Sequence, residues 1–193
     1  MRITVSRLTV FSALLLLVPL FLAMPGGRAH AARFSLSSPD MKDGGTLPTA
    51  QLNDAFGCSG ENRSPALSWS APPAGTKSFV LTMYDPDAPT GSGWWHWVVF
   101  DIPASATSLP PGVRPDGAGL PAAAVQSRTD FGAPGYGGGC PPAGDRPHRY
   151  VFTLNALDVE HLGLPTDASA AMVGFVLNSH RLGKATLTVT YGR

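Results

Sequence analysis

The chain has 193 residues and a formal net charge of +1, and only 14% of its residues are charged, against the usual quarter or so. It carries no basic stripe of the kind a nucleic-acid surface needs, and apolar, strand-like patterns persist to its end, which argues against disorder. Its 22 glycines and 19 prolines point instead to strands joined by structured loops.

In chain order, Arg2 and Arg7 precede an apolar run from Val10 to Met24, broken only by Ser12 and Pro19, and Ala29-His30-Ala31 follows as a small-x-small signature. That is the pattern of a cleaved export signal over residues 1–31. The run is shorter than the roughly 20 residues of a spanning helix, so no permanent membrane anchor is expected after cleavage; an uncleaved anchor is the alternative. No cysteine stands directly after the run, which argues against a lipid-anchored precursor. Cleavage after Ala31 leaves residues 32–193, the size of one domain. It removes Arg2, Arg7 and Arg28 and no acid, so the charge goes from +1 to −2.

Leu67-Ser68-Trp69 reads as a short strand closed by Pro72-Pro73-Ala74-Gly75. Ser78–Tyr84 is mostly apolar and reads as a buried strand ending at Asp85, and Trp95–Ile102 is a second, stopped by Pro103. Residues 104–135, rich in Gly, Pro, Ala and Ser, read as a long functional loop. Arg149–Leu157 and Lys184–Tyr191 alternate as strands. One helix is predicted over 168–181, capped by Thr166 or Asp167 and stopped by Gly183, with Met172, Phe175, Val176 and Ser179 on the face packed against the sheets. No linker or repeat divides the chain, and the fold class is mainly β, with antiparallel sheets and a minor helical element.

Cys58 and Cys140 are the only cysteines. In an oxidising compartment two loop thiols are candidates for a disulfide. Spacing alone does not bring their Cα atoms within the ~4.4–6.8 Å a bridge requires, so two small buried thiols are the alternative. Neither belongs to a CxxC pair, and no metal role is expected of them.

Two stretches carry the chemistry. In Asp85-Pro86-Asp87-Ala88-Pro89 the prolines stiffen the backbone and fix two carboxylates at the end of a buried strand, although turn-making alone would also account for them. Trp94-Trp95-His96-Trp97 follows, and strict alternation places His96 with Trp94 and Val98 on one face and Trp95 with Trp97 on the other. A single histidine there is also compatible with a hydrogen-bonded core residue. His148 and Tyr150 share one strand face, with Arg149 pointing the other way. Imidazole and phenol groups donate to oxygen anions, and a carboxylate fixes an imidazole tautomer. The Gly135–Gly144 segment permits positive φ and lets backbone N–H groups face a ligand, as in anion-binding nests, while Pro141-Pro142 stiffens the rim.

An Asp, two His and a Tyr are also an acid–base set, which makes a hydrolase the alternative reading. No Gly-x-Ser-x-Gly elbow supplies its nucleophile. A metal held by Asp85, His96 and His148 lacks the usual His-x-His or His-x-x-x-His spacing. No catalytic residue, metal or cofactor is therefore assigned.

At Phe56–Pro65, the Asp-Pro-Asp-Ala-Pro segment, the Trp-His-Trp strand, the run from Cys140-Pro141-Pro142 to His148-Arg149-Tyr150, Asn178-Ser179-His180 and the final strand to Arg193, the sequence resembles the phosphatidylethanolamine-binding protein family. Within it, the likeness is to the bacterial Raf-kinase-inhibitor-like branch. The resemblance covers essentially all of residues 32–193 and implies two antiparallel sheets with an anion pocket near one end. Carried over by motif position, it implies that Asp85, His96 and His148 form the pocket, with Tyr136, Pro141 and Tyr150 as walls or donors, Trp94 at the rim and Asp87 supporting the turn. It further implies a phosphoryl- or carboxylate-bearing ligand, such as a phospholipid head group or a phosphorylated partner. Inhibition of a partner protein and assembly as a homodimer also belong to what it implies. Eukaryotic members often add a C-terminal helix beside the pocket; an end at Arg193 implies a more open mouth. Asp101 stands where an asparagine is more usual, with little effect expected on the pocket. The expectation is thus an exported binding protein, periplasmic or secreted.

Overall fold

The structure, a computed structural model, describes Met1 and residues 32–193; the expected export signal lies outside the described residues. Among the described residues eight strands and one α-helix follow in order, besides a 3-10 turn at Thr49–Gln51: β1 (Ser35–Ser37), β2 (Leu67–Ser70), β3 (Ser78–Asp85), β4 (Trp94–Pro103), β5 (Ser108–Leu109), β6 (Val125–Gln126), β7 (His148–Leu157), α1 (Ala170–Asn178) and β8 (Arg181–Tyr191). They form two antiparallel sheets, a small one ordered β1-β2-β5 and a large one ordered β6-β4-β3-β7-β8. Among the described residues no helix is long and apolar enough to cross a membrane.

The large sheet is covered on both faces, which is why β3 and β4 are almost continuously apolar. One face packs on the small sheet: Phe79, Leu81 and Met83 of β3, Tyr150, Phe152 and Leu154 of β7, and Leu187 and Val189 of β8 meet Leu36, Leu67, Trp69 and Leu109. The other face packs on α1: Val80, Val98 and Phe100 meet Ala170, Val173 and Leu177. Burying such a side chain contributes about 1.5–3 kcal/mol, so these two layers hold the large sheet rigid beneath the loops at its end.

The helix departs from the sequence reading in three ways. It spans only Ala170–Asn178, and Ser169 caps it, its side chain accepting from the Met172 N–H at 3.2 Å. Its buried face is Ala170, Val173 and Leu177, whereas Phe175 is 76% exposed and Met172 half exposed. Gly183 does not stop it: that residue lies inside β8 opposite Ala156, where a Cβ would meet Pro73 Cγ at 2.8 Å. Almost every residue from Ala170 to Leu177 is apolar, so two faces compete in the sequence, and the tight space beneath the sheet selects the smaller one.

Residues 104–135 also contain order the sequence did not reveal, since β5 and β6 add short edges to the two sheets. Asp101 makes a bulge in β4 with φ of +56°, a conformation Asp and Asn tolerate better than most residues. Its carboxylate accepts from the Leu162 N–H at 2.9 Å, at the other end of β4 from His96.

Candidate functional site

β3 and β7 are antiparallel neighbours, so the end of one lies beside the start of the other. Asp85, 3% exposed at the end of β3, accepts at Oδ1 from the Asp87 and Ala88 N–H groups at 2.8 and 3.1 Å. Its Oδ2 lies 2.7 Å from His148 Nδ1. On the opposite face of β7, Arg149 donates to Asp87 through its backbone N–H, Nε and Nη2 at 2.8–3.0 Å, and Arg146 adds a bond of 2.7 Å. The alternation of β7 therefore pairs one aspartate inward and the other outward, and together they pin the 85–88 turn. Hydrogen bonds from Arg149 hold the Asp87 carboxyl at a pKa of about 2. Asp87 thus holds the turn from its outer side and does not line the cavity.

His96 reaches the site through an irregularity. Met83 pairs with Trp97 and Tyr84 with Trp95, which leaves His96 as an extra residue between the two pairs. This bulge puts His96 and Trp97 on the same side, with Trp97 in the core between the sheets, while Trp95 packs toward α1. The alternation expected from the sequence fails here: His96 stays with Trp94 but not with Val98, and Trp95 parts from Trp97. His96 Nδ1 donates to the Gly137 carbonyl at 2.8 Å, and the Gly137 N–H returns a bond of 2.9 Å to the His96 carbonyl. That pairing fixes the tautomer and leaves Nε2 as the nitrogen able to meet a ligand. Burial lowers the His96 pKa, outweighing the Gly137 carbonyl and the Asp85 charge, which raise it.

These groups surround a cavity of about 300 Å³. Asp85, His96, His148 and Tyr150 all line it, with Trp94 and Pro141 as walls. The Tyr150 hydroxyl and Trp94 Nε1 are buried without a hydrogen-bond partner among the described residues; the Cys140 amide approaches the Tyr150 oxygen but falls short of bonding geometry. Burial also raises the Tyr150 pKa, so the phenol stays protonated and able to donate. Asp85 has its oxygens committed to the turn and to His148, whose Nε2 lies 3.4 Å from Asp145. It thus orients its neighbours, and the donors left for an oxygen anion are Tyr150 and Trp94, joined by His96 Nε2 when that imidazole is protonated.

Two expectations change. Tyr136 does not line the cavity: its hydroxyl donates to the Gln51 carbonyl at 2.8 Å, and its ring packs edge-on against Trp97 with centroids 5.6 Å apart. The glycines at 137–139 do not form a nest for a ligand. The Gly137 and Gly138 N–H groups are bonded to His96 and to Asn62 Oδ1, and none of the three has positive φ. Close approach is what they permit, since a Cβ on Gly139 would lie 2.6 Å from Tyr150 Cζ and one on Gly137 would strike Phe131.

Three wall residues escaped the sequence reading. Phe131 stacks edge-to-face on Trp94 and on His96, each at 5.4 Å, and Phe56 stands 6.0 Å from Phe131. Arg193 lies across the mouth, donating to the carbonyls of Pro141 at 2.7 Å, Gly57 at 2.8 Å and Phe56 at 3.1 Å. Cys58 and Cys140 are joined in a disulfide that spans the same two loops, with Cα atoms 6.0 Å apart. A lone aromatic in a run of small residues, as in Thr129-Asp130-Phe131-Gly132-Ala133, was the signal available for Phe131.

The phosphatidylethanolamine-binding protein family model matches residues 37–192. The chain belongs to that family. A relative in Escherichia coli K12, the UPF0098 protein YbcL, is 49% identical over 177 residues, covering 91% of this chain and 97% of the relative. The crystal structure of E. coli YbcL, described as a new member of the mammalian PEBP family, matches with a TM-score of 0.82 at 50% identity, over 84% of this chain and 99% of that one. A Mycobacterium tuberculosis protein named as a lipoprotein candidate, LppC, is 35% identical over 162 residues, or 83% of this chain and 73% of its own length. The family is one named for binding a phospholipid.

Proposed function

We propose that this protein is an exported binding module whose cavity holds the phosphoryl or carboxylate head group of a small ligand. The observation that carries the reading is the lining of the cavity, where buried donors on Tyr150 and Trp94 stand beside His96 without a partner among the described residues, around a space of head-group size. Charge-assisted bonds from such donors contribute about 1.5–3 kcal/mol each in a dry site, and association costs leave a bare anion with only modest affinity. The remainder of the ligand therefore has to contribute binding of its own.

Binding is favoured over hydrolysis because the aliphatic hydroxyl and the sulfur that line the cavity are committed elsewhere, and burial keeps the Tyr150 phenol protonated. The Thr90 hydroxyl donates to the Gly93 carbonyl, and the Cys140 sulfur is in the disulfide. Among the described residues no three His, Cys, Asp or Glu side chains are grouped as metal ligands would be. Export is supported by the apolar run from Val10 to Met24 with Ala29-His30-Ala31 after it, by a disulfide of the kind kept in oxidising compartments, and by the name of the mycobacterial relative.

The test is titration calorimetry of the purified protein with phosphoethanolamine and inorganic phosphate. His96→Ala should weaken binding at least about tenfold, a loss of about 1.4 kcal/mol. Turnover of nitrophenyl esters or phosphoesters that disappears in the same variant would replace this reading with the hydrolase one.

A further inference from the structure

Phe56 is the feature that head-group binding leaves unexplained. It is a large apolar side chain, yet 70% exposed, and its φ of +57° lies in the left-handed region that L-residues with bulky side chains avoid. Three ties hold it there. Its carbonyl accepts from Arg193 Nη2, the Gly57 carbonyl accepts from Arg193 Nη1, and Cys58 is bridged to Cys140. Burial of the ring does not offset the backbone cost, because the ring faces solvent. Strain held in place by its surroundings marks positions with a task.

The position of the ring suggests the task. Phe56, Phe131 and Trp94 follow one another at centroid distances of 6.0 and 5.4 Å, and Phe131 is also 5.4 Å from His96. The aromatic arc thus runs from the mouth of the cavity to its donor-bearing floor, and all four residues line it. Such spacings suit edge-to-face and tilted contacts, in which the positive rim of one ring meets the negative face of another. A flat ring entering the mouth would extend this series by one member.

We propose that the arc is an aryl subsite, so that the preferred ligand is an aromatic phosphate monoester. Its ring lies against Phe131 and Phe56 while its phosphoryl oxygens reach His96 and Tyr150. Arg193 places a guanidinium at the same mouth, where a dianion entering the cavity passes it. This inference rests on the head-group reading above and adds the chemistry of the substituent.

Calorimetric titrations of the purified protein with phenyl phosphate, methyl phosphate and inorganic phosphate separate the two. Both esters carry the same phosphoryl group, so their ratio isolates the ring. Phenyl phosphate should bind about tenfold more tightly than methyl phosphate, equivalent to about 1.4 kcal/mol, and in Phe56→Ser that ratio should fall close to one. Phe56→Gly, whose backbone suits the positive φ, should give the same collapse and separates the ring from the strain. Equal affinities for the two esters in the unaltered protein, or a ratio that survives both substitutions, would overturn the aryl subsite while leaving head-group binding intact. Failure of all three ligands to bind would overturn both.

Discussion

Replacing Cys58 and Cys140 together by alanine tests how the mouth of the cavity is held. The bridge spans 82 residues of sequence, and closing a loop of that length removes about 15 cal/mol/K of chain entropy from the unfolded state, or about 4.5 kcal/mol at 25 °C. Residual structure in the denatured chain reduces this, and the Arg193 bonds to Phe56, Gly57 and Pro141 keep the two loops together in the reduced protein. A loss of about 2–4 kcal/mol is therefore expected. For a domain of this size each kcal/mol corresponds to about 2–4 °C, so Tm should fall by roughly 5–15 °C. Scanning calorimetry of the oxidised protein, the same protein in reductant and the double variant provides the measurement, and the last two should agree. A Tm that stays within about 2 °C of the oxidised protein would refute the reasoning.

Acid unfolding should report Asp87. Its folded pKa of about 2 lies below the ordinary 3.8, so the unfolded chain binds more protons and the stabilisation is complete above about pH 5 and lost as pH falls toward 2. Discounted for the exposure of Arg146 and Arg149, the contribution is roughly 1–2 kcal/mol; urea titrations of Asp87→Asn should show that deficit at pH 7 and little of it near pH 2. His96 has a folded pKa lowered from 6.5 by burial, so its stabilisation is present above that value and fades as pH falls. Sulfate, an anion of fixed charge, should by the same linkage bind more tightly at pH 5.5 than at pH 8, and His96→Gln should flatten the dependence measured by calorimetry. Gly139→Ala would drive a methyl group to within 2.6 Å of Tyr150 and 2.7 Å of Leu47, at a cost of about 1–3 kcal/mol in overpacking; unchanged unfolding midpoints would count against the close-approach role given to that glycine.

Much of the site could be seen in one dimension because its motifs are local. Asp85 and Asp87 sit at a strand end stiffened by prolines, and His148, Arg149 and Tyr150 alternate on a regular strand, so their directions follow from period-two geometry. His96 is where that rule broke: a bulge is an extra residue in one strand relative to its partner, and its existence depends on the register with β3. The same holds for Tyr136 and for Gly137 and Gly138, whose hydrogen-bond partners Gln51, His96 and Asn62 come from distant parts of the chain. Helix α1 failed for a related reason, since an all-round apolar segment offers no preferred face until a partner surface chooses one.

Residue order by itself determined the longer strands, the fold class and the family-specific pair of motifs, because alternation, proline placement and motif spacing are properties of neighbouring residues. Only the folded chain decided which oxygen and nitrogen atoms remain available in the cavity, and that Phe56, Phe131 and Arg193 complete its walls. Those outcomes depend on hydrogen bonds and ring contacts between segments about 40 to 140 residues apart, where no local pattern constrains the partner.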